Sequence, residues 1–509
     1  MDKALRLLLI LLVALSAPAQ IVHQVVMVSP QTAANPSLIQ VGDDLDWALY
    51  YMGSGGSVQS GQYVLSQLPN PSLAGNMLMA IVPFDHTSST PTVSDDQNDT
   101  YSLAATCTDT TNREEIGIYY FLNAPAGVRQ IKTTYHATTL YQGMPAVAEW
   151  TNVASSSALD GSSCGFGHAQ TVQGSSGVTP SAAGDLVVQF AWNDYVIGGG
   201  GIGVHFTPGS QSNIAWSNFL GTWAWAEGAQ WGVYNSTSAL NPQMTVSTAG
   251  FLSLAVFFKS ASAGTPMPSG IRIIARKNVP FTNDFPWNSN PIKVYFPCPS
   301  TANLMVADFA GAYQDMTAVS DSNGNAWQSD HALTCDGGNN TCVHNYSASN
   351  ATTSPGQTVT LTMNTMSGAD SVELYCIQGA ATSAFDTSVA GSGNQTAGGN
   401  WTSLSITPHT SNGLILMDGS QYSDTTTGFT GMGQNYQGCY WSGEAISTGG
   451  CASNNAWGAY YNPNTSAVTW TATELPGSAV GIWAAETDAY EAAGAPPPPP
   501  PTNLMAVPQ

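Results

Sequence analysis

Three acidic residues in the first half of the chain are candidates for glycoside chemistry. Glu149, Asp194 and Glu227 each lie among aromatic residues, and glycoside hydrolysis requires only two carboxyl groups at a suitable separation. That separation is set by the fold, and lone acidic residues on strands usually lie on solvated faces. The sequence therefore assigns no catalytic residue, and a glycoside-active enzyme that uses carboxylates of the first half is kept as an alternative function.

A GxSxG motif occurs at residues 161–165, with Ser163 at its centre. In hydrolases this motif forms a turn between a strand and a helix, and the turn exposes the serine. The neighbouring residues are rich in Gly and Ser and show no helical periodicity, so we do not expect a nucleophile here. The histidines show no HxH or HExxH spacing, and surface or hairpin positions are expected for them rather than a metal centre.

Two acidic loops at equivalent places in the two halves are candidates for calcium. Asp95 and Asp99 would provide ligands in the first loop, and Asp321, Asn323 and Asn325 in the second, because calcium prefers carboxylate and amide oxygens. Neither loop has the downstream Glu that completes an EF-hand. Asp, Asn and Gly are also typical of tight hairpin turns. The sequence therefore favours hairpin turns at both loops. A calcium site is the alternative, and calcium is the only cofactor that the sequence suggests.

Aromatic residues are the strongest indication of a binding function. Trp and Tyr rings stack on the C–H faces of sugars, and Trp223 and Trp225 would share one face of a strand. The glycan-binding candidates are Trp223, Trp225, Tyr440 and Trp441. Trp231 and Trp457 occupy equivalent places in the two halves, so we expect them to be core residues.

The elements that must position these residues are β-strands. Helical periodicity is scarce, and short apolar runs alternate with Gly, Asn, Asp, Ser and Pro, a pattern typical of many short strands. Examples are residues 77–82, 116–121, 186–190 and 252–258, followed by 304–307, 371–377, 414–417 and 480–484. The pattern predicts an all-β protein built from β-sandwich, jelly-roll-like domains.

An internal duplication predicts the domain organisation. Three segments recur at one offset of 226 residues. They are VSD at 93–95 and 319–321, SALD at 157–160 and SAFD at 383–386, and WGVY at 231–234 and WGAY at 457–460. Each copy is long enough to hold its own core. We therefore predict two tandem sandwich domains at 20–262 and 271–490, a linker at 263–270 and a Pro-rich tail at 491–509.

The N-terminus and the cysteines predict export. Residues 1–19 combine a basic start, an apolar run and a small-residue cleavage site, and the run is too short to span a bilayer. Eight cysteines fit an oxidising compartment. Closeness in sequence, and elimination for the rest, suggest the pairs Cys107–Cys164, Cys298–Cys376, Cys335–Cys342 and Cys439–Cys451.

The charge distribution excludes nucleic acid as a partner. Lys and Arg number 10 against 32 Asp and Glu, which gives a net charge of -22. No Lys or Arg follows Lys293, whereas nucleic-acid binding requires cations that neutralise phosphates. A P-loop lysine or an arginine phosphate clamp in residues 294–509 is excluded for the same reason.

The signal segment, the VSD hairpin, the SA(L/F)D element and the polyproline run at 496–501 resemble secreted, duplicated β-sandwich proteins of environmental bacteria. Residues 501–507 resemble the opening strand of a fibronectin type III module. The resemblance implies an extracellular or cell-surface location and provides no catalytic residues. The expected function is non-enzymatic: adhesion or weak binding of polysaccharides or surface glycans, with a structural or assembly subunit as a further alternative.

Overall fold

The chain is described by a computed structural model. The structure describes residues 35–42, 61, 63–86, 89–111, 114–136, 145–192, 206–215, 217–221, 227–247, 249–262, 264, 269–281, 290–311, 315–338, 341–364, 370–394, 404–422, 426–430, 436–439, 455–474 and 482–494. All regular elements in these residues are β-strands, which confirms the predicted all-β class. The predicted signal segment and the polyproline run lie outside the described residues.

The first half contains sixteen of the strands. They are β1 (Ser37–Val41), β2 (Tyr63–Gln67), β3 (Met77–Asp85), β4 (Thr92–Asp95), β5 (Ser102–Asp109), β6 (Glu114–Phe121), β7 (Gln130–Thr134), β8 (Ala146–Thr151), β9 (Leu159–Gly167), β10 (Thr171–Gln173), β11 (Asp185–Trp192), β12 (Phe206–Thr207), β13 (Ser217–Gly221), β14 (Glu227–Tyr234), β15 (Gln243–Val246) and β16 (Phe251–Phe258).

The remaining strands belong to the second half. They are β17 (Arg272–Phe281), β18 (Ile292–Tyr295), β19 (Leu304–Gly311), β20 (Met316–Asp321), β21 (Gln328–Ser329), β22 (Thr334–Cys335), β23 (Cys342–Ser349), β24 (Thr358–Met363), β25 (Asp370–Gln378), β26 (Ala380–Asn394), β27 (Leu404–Ile406), β28 (Gly413–Tyr422), β29 (Thr426–Thr430), β30 (Tyr436–Cys439), β31 (Asn455–Asn462), β32 (Val468–Glu474) and β33 (Ile482–Ala492).

One strand order recurs four times along the chain. The larger sheets have the orders β1-β8-β3-β6-β5, β9-β16-β11-β14-β13, β17-β25-β19-β23-β21 and β26-β33-β28-β31-β30, and the smaller ones β2-β7-β4, β10-β15-β12, β18-β24-β20 and β27-β32-β29. The short strand β22 additionally pairs with β23. We call these groups sandwiches 1 to 4. The two predicted domains therefore each contain two sandwiches, a subdivision that the sequence did not predict.

The segments matched at the 226-residue offset lie on corresponding strands. VSD ends the fourth strand of sandwich 1 and of sandwich 3, and the WGxY segments lie on the sixth strand of sandwich 2 and of sandwich 4. These positions agree with the predicted duplication, which itself stays a prediction.

Within each half, the two larger sheets pack face to face. Met79 of β3 and Trp150 of β8 belong to the same buried cluster as Val188 of β11 and Leu254 of β16. The opposite faces of these sheets cover the smaller sheets, as at Val64 and Ile131 in sandwich 1. Strands β11 and β16 are consequently buried at every position. Burial on both faces explains why these strands are continuous apolar runs rather than alternating ones.

The second half repeats this packing between sandwiches 3 and 4. Leu304 and Val306 of β19 lie in one cluster with Leu414 and Leu416 of β28. The interior of sandwich 3, between its own two sheets, is a separate and larger cluster that includes Phe309.

Three predicted disulfides are present. Cys335–Cys342 closes the β22–β23 turn and Cys298–Cys376 lies within sandwich 3, whereas Cys107–Cys164 joins β5 of sandwich 1 to β9 of sandwich 2. Cys451 of the fourth predicted pair lies outside the described residues.

Candidate functional site

The four glycan-binding candidates, Trp223, Trp225, Tyr440 and Trp441, lie outside the described residues. The structure does place Trp231, which the sequence predicts to be a core residue. Its ring lies 5.2 Å from that of Trp150 in an edge-on arrangement, at the packed interface of sandwiches 1 and 2. The side chain of its counterpart, Trp457, lies outside the described part of the structure. Trp231 is half-buried and packs against the buried cluster of sandwiches 1 and 2, so it contributes to packing without being a fully buried core residue.

The first acidic loop is a hairpin turn capped by its own carboxylate. Asp95 Oδ1 accepts hydrogen bonds from the backbone N–H groups of Gln97 and Asp99, both at 3.0 Å. The Tyr101 hydroxyl donates to Asp95 Oδ2 at 3.4 Å. Burial raises the pKa of Asp95, and the two backbone hydrogen bonds oppose that rise. These contacts assign the carboxylate to the turn that joins β4 to β5.

The second acidic loop has the same construction. Asp321 Oδ1 accepts from the Asn323 N–H at 2.8 Å, while Asp321 Oδ2 accepts from Asn325 Nδ2 at 3.0 Å and from Trp327 Nε1 at 2.6 Å. Asn323 Nδ2 donates to the Thr352 carbonyl at 2.9 Å. Among the described residues, no group of three or more His, Cys, Asp or Glu side chains is arranged to hold a metal ion. The recurring acidic pattern is accounted for by turn formation.

The aspartates of the SA(L/F)D segments anchor a loop. Asp160 accepts from the Ser181 N–H at 2.5 Å, and Asp386 accepts from the His409 N–H at 2.8 Å. Burial, reinforced by the neighbouring Asp160 carboxylate, raises the pKa of Asp185 to about 7. Each anchoring aspartate joins the first strand of a sandwich to the loop before its third strand.

The glycosidase candidates are buried or outside the described residues. Glu149 is fully buried and accepts from Gln40 Nε2 at 2.5 Å, Asn76 Nδ2 at 2.6 Å and the Leu73 N–H at 2.8 Å. Burial raises its pKa, and these three hydrogen bonds oppose the rise. Asp194 lies outside the described residues, and Glu227 on β14 is 2% exposed.

The Glu149 network connects the two halves of the molecule. Gln40 Oε1 accepts from Asn70 Nδ2 at 2.8 Å, and Asn70 in turn donates to the Ile273 carbonyl at 2.5 Å and accepts from the Tyr461 hydroxyl. Glu149 therefore holds a structural contact between sandwich 1 and the second half, and its carboxylate is closed to a substrate.

The interface of sandwiches 3 and 4 carries acidic residues where the interface of sandwiches 1 and 2 is apolar. Equivalent positions are found by counting from the first interface residue of the third strand in each sandwich and by following the strand pairing from there. At five of these positions an acidic residue stands in place of an apolar one: Asp308 for Ile81, Glu373 for Ala146, Asp418 for Phe190, Glu486 for Leu254 and Asp488 for Val256. All five carboxyl groups are fully buried. We call them the acidic junction.

Asn345 and Arg276 provide donors to the acidic junction. Asn345 Nδ2 donates to Asp418 Oδ1 at 3.0 Å and to Asp488 Oδ2 at 2.8 Å, and Arg276 Nε lies 2.9 Å from Glu373 Oε1. Neither oxygen of Asp308 or Glu486 has a hydrogen-bond partner among the described residues. Burial, reinforced by neighbouring carboxylates, raises the pKa of both groups well above their usual range. An ionised carboxylate is very costly in such a site, so burial favours the neutral form of these groups.

At the outer edge of sandwich 3, a serine, a histidine and an aspartate form a hydrogen-bonded chain. Ser329 Oγ lies 2.9 Å from His344 Nε2, and His344 Nδ1 lies 2.6 Å from Asp315 Oδ1. Ser329 is exposed, because β21 is the edge strand of the larger sheet. The histidine is 8% exposed, and its ring centroid lies 4.6 Å from that of Tyr346.

Sequence reasoning missed this chain of residues. Asp315 precedes β20, Ser329 lies on β21 and His344 lies on β23, so no sequence spacing connects the three. Ser163 of the GxSxG motif is instead buried within β9, where it donates to the Ser176 carbonyl. Pairing of Ser329 with Tyr346 across β21 and β23 is what brings the serine beside His344.

Neither a family model nor a curated protein matches the sequence of this chain. A search of the described residues finds no helix long and apolar enough to cross a membrane.

Proposed function

We propose that this is an exported adhesion protein whose binding of glycans is non-enzymatic, and in which the sandwiches form a stiff support for the aromatic residues that bind them. The observation that carries the proposal is the pairing of sandwiches through their larger sheets. A sheet that is buried on both faces cannot rotate against its neighbour without exposing a core. Stiff supports of this kind suit proteins that hold a contact surface away from a cell.

The covalent and electrostatic features support an extracellular location. Three disulfides, one of them between sandwiches 1 and 2, are expected in an oxidising compartment. Few residues of this protein are charged, and the net charge of -22 would keep it soluble. A surface with few cations also disfavours phosphate-rich partners and leaves neutral polysaccharides as the better ligands.

Trp225 and Trp441 are the proposed contact residues. They have no aromatic counterpart at the 226-residue offset, whereas the recurring Trp231 is used for packing. An aromatic residue that the fold does not require in both halves is available to bind a ligand. Stacking on a sugar ring and hydrogen bonds from nearby polar residues would then give the weak affinity typical of single sites.

Co-sedimentation with insoluble polysaccharides tests the proposal. The chain without the predicted signal segment, residues 20–509, should be retained by at least one of cellulose, chitin or xylan, and Trp225→Ala or Trp441→Ala should reduce the retained fraction. Phe166→Ala is the matched control, because Phe166 is 53% exposed and is not a proposed contact. Equal retention of all variants would contradict the role of the two tryptophans.

A further inference from the structure

We propose that Ser329, His344 and Asp315 form an acyl-transfer site that hydrolyses esters, an activity separate from adhesion. A hydroxyl nucleophile, an imidazole base and a carboxylate that orients the imidazole are recognised by their geometry, not by their order in the chain. Both required contacts lie within hydrogen-bonding distance, at 2.9 Å for serine to histidine and 2.6 Å for histidine to aspartate.

The carboxylate is well placed to orient the histidine. The Asp315 N–H donates to Asn364 Oδ1 at 3.0 Å, and the Asn364 N–H donates to the Asp315 carbonyl at 3.0 Å. These two bonds fix the backbone of Asp315 beside β24. The Asp315 side chain is 18% exposed and that of His344 is 10% exposed, so their hydrogen bond is partly shielded from water. In a contact of this kind the carboxylate accepts a hydrogen bond from the Nδ1–H group of the histidine. The lone pair of Nε2 is then available to accept the proton of Ser329.

The nucleophile is accessible from solvent. Ser329 belongs to the exposed edge strand β21, which pairs with β23 only along its two residues. Its hydroxyl has a single hydrogen, which can be donated to the His331 carbonyl or to His344 Nε2. Rotation about the Cβ–Oγ bond transfers that hydrogen towards His344 Nε2 and moves no heavy atom.

The chemistry follows from these positions. Ser329 Oγ attacks the ester carbonyl carbon while its proton passes to His344 Nε2. The bond from the carbonyl carbon to the leaving oxygen breaks, and the leaving alkoxide takes that proton and departs as an alcohol. Water then attacks the acyl-serine with His344 as base, which releases the carboxylic acid and restores the serine hydroxyl. Asp315 stabilises the imidazolium formed in both steps.

Covalent labelling tests this proposal independently of adhesion. The intact mature chain is treated with a fluorophosphonate, and the modified residue is located by peptide mass spectrometry, alongside assays of p-nitrophenyl acetate hydrolysis. We expect the adduct on Ser329. We also expect Ser329→Ala to abolish the adduct and His344→Gln to slow its formation by about 100-fold or more, as loss of a general base does.

Ser156→Ala is the matched control, because Ser156 is an exposed loop serine between β8 and β9. It should label and hydrolyse as the wild type does. Since Ser329 is exposed, Ser329→Ala should retain the wild-type melting temperature, which separates loss of chemistry from loss of folding. Absence of an adduct on Ser329, or wild-type hydrolysis by Ser329→Ala, would overturn the proposal. The three residues would then have only a structural role, as hydrogen bonds that hold the edge strand in place.

Discussion

Raising the pH should destabilise the second half of the molecule through the acidic junction. Burial raises the pKa of Asp418 to about 8, against 3.8 for an exposed aspartate. A group whose folded pKa lies above its unfolded pKa stabilises the fold fully below the unfolded value. It loses that contribution as the pH rises through the folded value. For Asp418 the loss therefore runs from about pH 4 to about pH 8.

The size of the effect follows from proton linkage. Where one proton is bound in the folded state and none in the unfolded state, the free energy of unfolding falls by about 1.4 kcal/mol per pH unit. For a unit the size of one half of this chain, that corresponds to a melting temperature lower by about 4 °C per pH unit. Asp308, Glu486 and Asp488 titrate in the same direction, so the observed slope should be at least this steep.

Asp418→Asn isolates the contribution of this group. The amide oxygen can still accept from Asn345 Nδ2, as Asp418 Oδ1 does, and the amide carries no charge at any pH. Melting followed by circular dichroism between about pH 5 and pH 8 should show a shallower slope and a higher melting temperature at the alkaline end. A slope in Asp418→Asn equal to that of the wild type would refute the reasoning.

Three further predictions concern the packing and the turns, and each is measured by chemical denaturation. Trp150→Ala should destabilise the first half by about 3–5 kcal/mol, because the ring is fully buried between sandwiches 1 and 2; a loss under about 1 kcal/mol would contradict that packing. Asp321→Ala should cost about 1–3 kcal/mol, since its carboxylate accepts from three neighbouring residues of the β20 turn, and a neutral result would remove its role in that turn. Replacing both Cys107 and Cys164 by Ser should cost about 2–5 kcal/mol through loss of the bridge between sandwiches 1 and 2, whereas an unchanged midpoint would show that packing alone joins them.

The strands themselves were predictable, and their partners were not. The run at residues 186–190 indicates a buried strand because it is continuously apolar. The pattern does not reveal that one face of β11 covers a small sheet while the other meets a second sandwich. That information depends on which sheets meet, so the sequence predicted two domains where the structure contains four sandwiches.

The polar sites differ in how visible they are in the sequence. Asp308 interrupts an apolar strand, as does Asp418, and such interruptions are the signal for a buried polar site. The turn aspartates were predicted because Asp, Asn and Gly at close spacing have a local explanation. The Ser329–His344–Asp315 chain has no local signal, because sheet pairing alone brings its members together. Residues brought together by tertiary structure escape a search for spacing.

A glycan array provides the most direct test of the proposed adhesion function. The chain without the predicted signal segment, residues 20–509, would be applied with calcium and with chelator, beside the Trp225→Ala and Trp441→Ala variants. We predict binding to one class of polysaccharide that both substitutions weaken, and that chelator leaves intact because the acidic loops are capped turns. Absence of binding under both conditions would contradict the glycan function and leave a purely structural protein as the better account.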